Sequence, residues 1–190
     1  MSEQMQDFGS AYFIEPDNDP TETHVLAVIV ANEPGVLARV IGLFSGRGYN
    51  IESLTVSETE HQQHLSRITV VTRATPSVID QIRHQLNRIV PVRRVVDMTV
   101  RAKELALGGL IAREVALVKV AGQAGDRIEA LRLADAFEAK VVDATSQHFI
   151  FELTAKSEKV EQFISIMEPL GLIEVCRTGV TAMNRGSQVM

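Results

Sequence analysis

The chain has 190 residues, 45% of them hydrophobic, which is enough for one large or two small globular domains. No apolar run approaches the roughly 18 residues that cross a bilayer, no signal-peptide pattern opens the sequence, and a single cysteine excludes an intrachain disulfide. We therefore expect a cytoplasmic protein without membrane association.

The formal net charge of −5 is concentrated in the first part of the chain. Residues 1–23 hold six of the 24 acidic residues and no Lys or Arg, so the remainder balances 19 basic residues against 18 acidic ones. Because this acidic leader has little apolar content, we expect it to be disordered. The remainder has no basic stripe and only 5% aromatic residues, which argues against nucleic-acid binding.

The first folded unit, predicted for residues 24–100, begins with a continuous apolar strand at His24–Ala31. The turn Asn32–Gly35 follows, and Pro34 suits the first position of the next helix because its missing N–H is not needed there. Gly46 and Gly48 suit the end of that helix, since glycine tolerates the left-handed conformation of a C-cap. The apolar face of this helix is predicted to consist of Leu37, Val40, Ile41 and Phe44.

The rest of this unit alternates between strand and helix patterns. Two strands at Asn50–Glu58 and Leu65–Thr72 flank a polar hairpin, Thr75-Pro76 starts a second helix, and Val92–Val100 forms the last strand. The apolar stripe of the second helix is Ile79, Ile82, Leu86 and Ile89. The order βαββαβ predicts an α+β, ferredoxin-like unit with two helices on one face of an antiparallel sheet.

A second unit of the same order is predicted for residues 113–184, after a linker at 101–112 that has room for one helical turn. Its predicted elements are strands at Val115–Ala121, Val141–Thr145, Phe149–Ala155 and Leu172–Thr181, and helices at Asp126–Glu138 and Glu158–Met167. The helix stripes of the two units can be aligned, so the chain contains a repeat of fold. The turn does not repeat, because Asp126 places a carboxylate at the helix start where the first unit has Asn-Glu-Pro-Gly.

The turn Asn32–Gly35 is the candidate binding site. A helix N-terminus presents backbone N–H groups and a positive dipole end, which suits a small anion such as an amino acid carboxylate. The glycine allows close approach of a ligand. On these residues alone the alternative stays open that Asn32 merely caps the helix and Gly35 merely turns the chain.

The sequence lacks recognisable catalytic signatures. His61 and His64 have the spacing of a metal pair, but they lie in a polar hairpin with only Glu58 and Glu60 nearby, and we interpret them as a solvated loop. Cys176 is interpreted as a small core residue rather than a nucleophile. We therefore predict no catalytic residue, no metal site and no cofactor in this chain.

A long block, A-N-E-P-G-V-L-A-R-V-I-G-L-F-S-G-R-G-Y-N-I-E-S-L-T-V, followed by L-S-R-I-T-V-V, resembles the regulatory small subunit of acetolactate synthase (acetohydroxyacid synthase). In the second half, R-E-V-A-L-V-K-V and I-E-V-C-R-T-G-V continue the resemblance, which covers about residues 24–186. Only the acidic leader lies outside it. The block is more specific than a generic amino-acid-sensing ACT domain.

The resemblance implies an ACT domain followed by an ACT-like C-terminal domain, in a homodimer. It implies that the feedback inhibitor, usually valine, binds at the dimer interface, with Asn32, Gly35, Val36 and Leu37 from one chain and Asn50 and Ile51 from the other. It also implies a partner, the large catalytic subunit, which holds thiamine diphosphate, FAD and Mg²⁺ and forms acetolactate. The small subunit would activate this partner and confer feedback inhibition in branched-chain amino acid biosynthesis.

Two other readings stay open at this point. A stand-alone ACT-domain amino-acid sensor, regulating another enzyme or transcription, would use the same turn, although no helix-turn-helix pattern is visible. An acylphosphatase-like hydrolase shares the ferredoxin-like plan but would need an Arg in its phosphate loop.

Overall fold

The computed structural model describes residues 19–60, 64–105 and 108–187. In the first unit, extended β-branched segments alternate with helices that each have one apolar face, as the sequence predicts. The elements of this unit are β1 (Glu22–Ala31), α1 (Val36–Arg47), β2 (Ser53–Glu60), β3 (Leu65–Ala74), α2 (Pro76–Leu86) and β4 (Val92–Asp97).

The second unit repeats this order and adds one strand. Its elements are β5 (Leu110–Val120), α4 (Ala124–Ala136), β6 (Lys140–Ala144), β7 (Phe149–Ala155), α5 (Ser157–Met167), β8 (Leu172–Arg177) and β9 (Thr181–Asn184). A short helix, α3 (Met98–Glu104), connects the two units.

Each unit has an antiparallel sheet with the same strand order. The first sheet has the order β2-β3-β1-β4, and the second has the order β6-β7-β5-β8. In both, the first strand of the unit is central and the second strand lies at one edge. The predicted α+β class with tandem βαββαβ units is confirmed.

The helices of each unit cover one face of its sheet. In the first unit α1 and α2 bury their apolar faces against β1 and β3, and the predicted stripe Ile79, Ile82 and Leu86 is buried. In the second unit α4 and α5 do the same against β5 and β7. Burial of these side chains, at about 25 cal/mol per Å² of apolar surface, is the main stabilising contribution to each unit.

A third apolar cluster joins the two units on the face of the first sheet that lies opposite α1 and α2. It is formed by β1, β3, α3 and the chain around β9, with Val25, Ala27, Val71, Met98, Val180 and Ala182 as its buried members. The N-terminal half of β5 pairs with β9, while its C-terminal half pairs with β7 and β8. β5 therefore extends from this cluster into the core of the second unit.

Several predicted element boundaries were wrong. Glu22 and Thr23 belong to β1 rather than to the leader. The strand predicted at Val92–Val100 ends at Asp97, because α3 begins at Met98, and the predicted linker includes the start of β5 as well as its helical turn. The strand predicted at Leu172–Thr181 is interrupted at Gly179, whose φ is +82°. Cys176 is exposed rather than buried, because it lies on the edge strand β8 opposite Leu117, on the face away from the helices.

Candidate functional site

The turn between β1 and α1 is built around Pro34 and Gly35. The N–H of Val36 donates to the carbonyl oxygen of Glu33 at 3.3 Å, so Pro34 and Gly35 occupy the two central positions of a β-turn. Gly35 has φ +83° and ψ −4°, which matches the third position of a type II turn, where glycine is favoured. The Pro-Gly pair therefore determines the local shape of the site.

The predicted helix start at Pro34 was wrong. Helix α1 begins at Val36 and Gly35 is its N-cap, with no side-chain cap hydrogen bond. The left-handed conformation of Gly35 delays the first helical residue by two positions. Leu37 and Ala38 occupy the second and third helical positions, where the N–H groups have no acceptor within the helix. The turn therefore leaves amide donors at the positive end of α1.

Backbone hydrogen bonds to the residues just before β3 and β4 hold the start of the turn in place. The N–H of Asn32 donates to the carbonyl oxygen of His64 at 2.7 Å, and the N–H of Ala31 donates to the carbonyl oxygen of Pro91 at 2.8 Å. The Asn32 side chain is exposed. A Cβ built on Gly35 would have no heavy atom within 4 Å, so the space above the turn is open to a ligand.

The burial of the first side chains of α1 differs from the prediction. Val36 is 3% exposed and lies in the core, whereas Leu37, predicted to be buried, is 37% exposed. The buried residues of the helix are Val36, Val40 and Phe44, so the prediction is right for Val40 and Phe44 and wrong for Leu37. Val36 can offer an effector only its backbone, while Leu37 offers an apolar side chain beside the free amides.

Asn50 and Ile51 lie beyond the other end of α1. Of the two glycines predicted to end α1, Gly46 lies within the helix and Gly48, with φ +68°, is its C-cap. The chain then leads through Asn50 and Ile51 into β2. The Asn50 carbonyl accepts a 2.6 Å hydrogen bond from the hydroxyl of Thr72. Sequence reasoning missed Thr72, because its place on β3 looks like ordinary strand sequence and only the fold brings it to this loop.

The structure separates the predicted site residues into two groups. Asn32, Gly35, Val36 and Leu37 lie at one end of α1, and Asn50 and Ile51 lie at the other. A helix of 12 residues is about 18 Å long at 1.5 Å per residue. One small amino acid cannot contact both groups of the same chain.

The corresponding turn of the second unit is closed. Asp126 lies in the first turn of α4, and its carboxylate accepts from the N–H of Gln123 at 3.3 Å. The Gln123 side chain in return accepts from the backbone N–H of the third helical residue, completing a capping box. The carboxylate and the satisfied amides make this turn unsuitable for an anion.

A cleft of about 470 Å³ lies between the two units and includes Arg177 and Glu114 in its lining. Arg177 pairs with both Glu114 and Glu161. Burial lowers the pKa of Arg177, but the two carboxylates outweigh this and hold it above its ordinary value. Its charge is therefore already compensated within the fold.

In the part of the chain that the structure describes, no group of three or more His, Cys, Asp or Glu side chains is arranged to hold a metal ion. His61 lies outside the described residues, so the predicted solvated hairpin stays a prediction. Within the described ranges, no helix combines the length and the hydropathy needed to span a membrane.

Comparisons with known proteins give a consistent result. Residues 113–186 match the family model described as "Small subunit of acetolactate synthase", and residues 26–94 match "AHAS small subunit-like ACT domain". A probable acetolactate synthase small subunit from Archaeoglobus fulgidus is 41% identical over 165 residues, covering 87% of this chain and 98% of that protein. The acetolactate synthase small subunit of Mycolicibacterium smegmatis is 40% identical, covering 87% and 93%.

The fold agrees with these sequence matches. The crystal structure of the acetolactate synthase small subunit from Thermotoga maritima superposes with a TM-score of 0.77 at 34% identity, covering 88% of this chain and 99% of that one. Together with the ACT-type turn and the tandem units, these matches show that the chain belongs to the acetolactate synthase small-subunit family of branched-chain amino acid biosynthesis.

Proposed function

We propose that this chain is a non-catalytic regulatory subunit that activates the thiamine-diphosphate-dependent catalytic subunit of acetolactate synthase and confers feedback inhibition by valine. The observation that supports this most is the open turn at Gly35. Its uncapped amides at the start of α1, and the exposed Leu37 beside them, suit the carboxylate and the aliphatic side chain of a branched-chain amino acid.

The turn alone provides too little binding free energy. A helix N-terminus contributes about 0.3–2 kcal/mol to holding an anion, whereas micromolar binding requires about 8 kcal/mol. The remainder has to come from contacts with the amino group and from covering the aliphatic side chain. Because Asn50 and Ile51 of the same chain lie at the far end of α1, a second chain is needed to supply these contacts.

A homodimer with two-fold symmetry would provide them. β2 is an edge strand of the first sheet, and its backbone is available for antiparallel pairing with the β2 of a second copy. Such pairing aligns the two α1 helices antiparallel, so Asn50 and Ile51 of one chain lie next to Gly35 of the other. A two-fold axis creates two equivalent sites.

Feedback inhibition then follows from linkage. An effector bound across the dimer favours one arrangement of the two chains, and the catalytic subunit responds if its affinity differs between the two arrangements. Thiamine diphosphate, FAD and Mg²⁺ are expected in the catalytic partner, where the reaction takes place.

Reconstitution of this chain with its catalytic subunit tests the proposal. We expect the chain to raise acetolactate formation from pyruvate, and valine to lower it again. Calorimetric titration of the chain with valine, leucine and isoleucine should show binding at one site per chain in a dimer. A chain that neither activates the catalytic subunit nor binds any of the three amino acids would refute the proposal.

A further inference from the structure

The segment between β8 and β9 lies across the first sheet and is held there through its backbone. The N–H of Val180 donates to the hydroxyl oxygen of Ser53 at 2.7 Å, and the carbonyl oxygen of Val180 accepts from the hydroxyl of Thr55 at 3.0 Å. The carbonyl oxygen of Ala182 accepts from Arg67 at 2.6 Å. We refer to these three hydrogen bonds as the 180–182 contact.

This contact is buried and closely fitted. Val180 and Ala182 are 7% and 5% exposed. A Cβ at Gly179 would lie 2.7 Å from the Ser53 hydroxyl oxygen and 3.2 Å from Cγ2 of Thr55, so only glycine permits this approach. The Ser53 and Thr55 side chains therefore lie directly against the backbone of residues 179–180.

Arg67 contributes a partly buried charge to the 180–182 contact. Burial lowers the pKa of its guanidinium group, and Nη2 also contacts the sulfur of Met98 at 3.0 Å. Removing a cation from water is unfavourable unless polar groups replace the water. The carbonyl oxygen of Ala182 is such a group, so the second unit stabilises a side chain of the first.

The 180–182 contact is adjacent to one half of the proposed effector site. Ser53 follows Ile51 by two residues, and Ser53 and Thr55 are successive side chains on the same face of β2. Glu52 donates its N–H to the carbonyl oxygen of Val71 at 2.8 Å, which fixes this stretch to β3. Ile51 and Ser53 are about 7 Å apart along the extended chain, at 3.3 Å per residue. A shift of Asn50 and Ile51 on effector binding would therefore move Ser53, which binds Val180.

We infer that Ser53, Thr55 and Arg67 are positioning residues that transmit effector occupancy from the ACT domain to the C-terminal domain. This inference rests on the proposed function and adds the route by which it operates. In this route β2 is the shared element, because the loop that leads into it would contact the effector in the dimer and its face binds the backbone of Val180.

Paired substitutions at Thr55 test the inference in the full chain. Thr55→Val is nearly isosteric and removes the hydroxyl, whereas Thr55→Ser retains it. We expect Thr55→Val to raise the valine concentration for half-maximal inhibition of the reconstituted complex at least about fivefold, the lower end of usual allosteric couplings. Valine binding to the isolated chain should not change. Thr55→Ser should be inhibited by valine as the wild-type complex is. Ser57→Ala, on the same face of the same strand, should also leave inhibition unchanged.

Hydrogen exchange gives a readout that does not depend on the catalytic subunit. Valine should alter amide exchange in residues 178–184 of the wild-type chain, and in Thr55→Val that response should disappear while the response in residues 32–39 remains. Valine-dependent exchange at 32–39 without any response at 178–184, or full inhibition of the Thr55→Val complex, would overturn the inference. A wild-type chain that does not bind valine would instead refute the proposed function, and the inference with it.

Discussion

The hydroxyl of Thr72 donates a 2.6 Å hydrogen bond to the carbonyl oxygen of Asn50. Thr72 is 1% exposed, so a buried side chain on β3 positions the loop that carries Asn50 and Ile51. In the proposed dimer this loop contributes to both effector sites, so its position would affect both.

Replacing Thr72 with valine should weaken effector binding. Thr72→Val keeps the shape but leaves the Asn50 carbonyl without its donor, and one net hydrogen bond of about 0.5–1.5 kcal/mol corresponds to a roughly 2- to 10-fold rise in Kd. Calorimetry with valine measures it. Thr69→Val removes a buried hydroxyl from the opposite face of β3 and should not raise the Kd comparably. An equal rise in Kd for Thr69→Val would show that the effect of Thr72→Val does not come from the loss of the hydrogen bond to Asn50.

Gly35→Asp should abolish valine inhibition while retaining activation of the catalytic subunit. The substitution places a like charge beside the expected carboxylate, and it adds strain because φ is +83°. Gly35→Asn has nearly the same shape without the charge, and Asn tolerates a positive φ better than most residues. We expect Gly35→Asn to weaken inhibition less. Retained inhibition in the Gly35→Asp complex would contradict the assignment of this turn.

Gly122→Ala should destabilise the second unit. A Cβ there would overlap the carbonyl oxygen of Leu170 and lie 2.6 Å from Cβ of Asp126. Overpacking of this kind costs about 1–3 kcal/mol, which thermal and chemical denaturation of the full chain can detect. Gly125→Ala, where a Cβ meets nothing within 4 Å, is the matched control and should be neutral or slightly stabilising. An unchanged free energy of unfolding for Gly122→Ala would show that the chain around Gly122 and the chain around Leu170 move apart at little cost.

Asp97→Ala should lower the free energy of unfolding by about 3 kcal/mol, the cost of removing one partner of a buried polar pair. One carboxylate oxygen of Asp97 lies 2.6 Å from Nδ1 of His24, and the other accepts from the N–H groups of Thr99 and Val100. The substitution therefore removes the cap of α3 as well. Asp80→Ala, which breaks an exposed pair with Arg83, should change stability by less than about 1 kcal/mol.

Glu22 should titrate at lower pH than an unperturbed glutamate. Its hydrogen bond to Lys103, and then the charge of Lys103, hold the pKa of Glu22 below the ordinary value of 4.5. Because the folded-state pKa is lowered, the pair stabilises the fold above pH 4.5, and this contribution is lost as pH falls through the folded-state pKa. NMR titration can follow the carboxyl group, and Lys103→Gln should raise its pKa. An unchanged value would show that the pair does not persist in solution.

The predictable part of this structure was the part encoded by local periodicity. The stripe Ile79, Ile82 and Leu86 predicted α2 and its buried face because residues three or four apart lie on one side of a helix. The repeated βαββαβ order predicted two antiparallel sheets, each covered by two helices on one face. Even so, periodicity placed Leu37 in the core, whereas the folded chain buries Val36 and leaves Leu37 exposed.

Sequence alone determined the two repeated units, the Pro-Gly turn before α1 and the absence of an equivalent open turn before α4. Tertiary structure decided that β5 pairs with β9 as well as with β7 and β8, that Cys176 is exposed, and that Thr72 holds Asn50. It also decided that the backbone of Val180 contacts Ser53, more than 100 residues away. The physical reason is that helix faces and turns depend on neighbours a few residues apart, whereas strand pairing and contacts between units depend on partners that only the folded chain brings together.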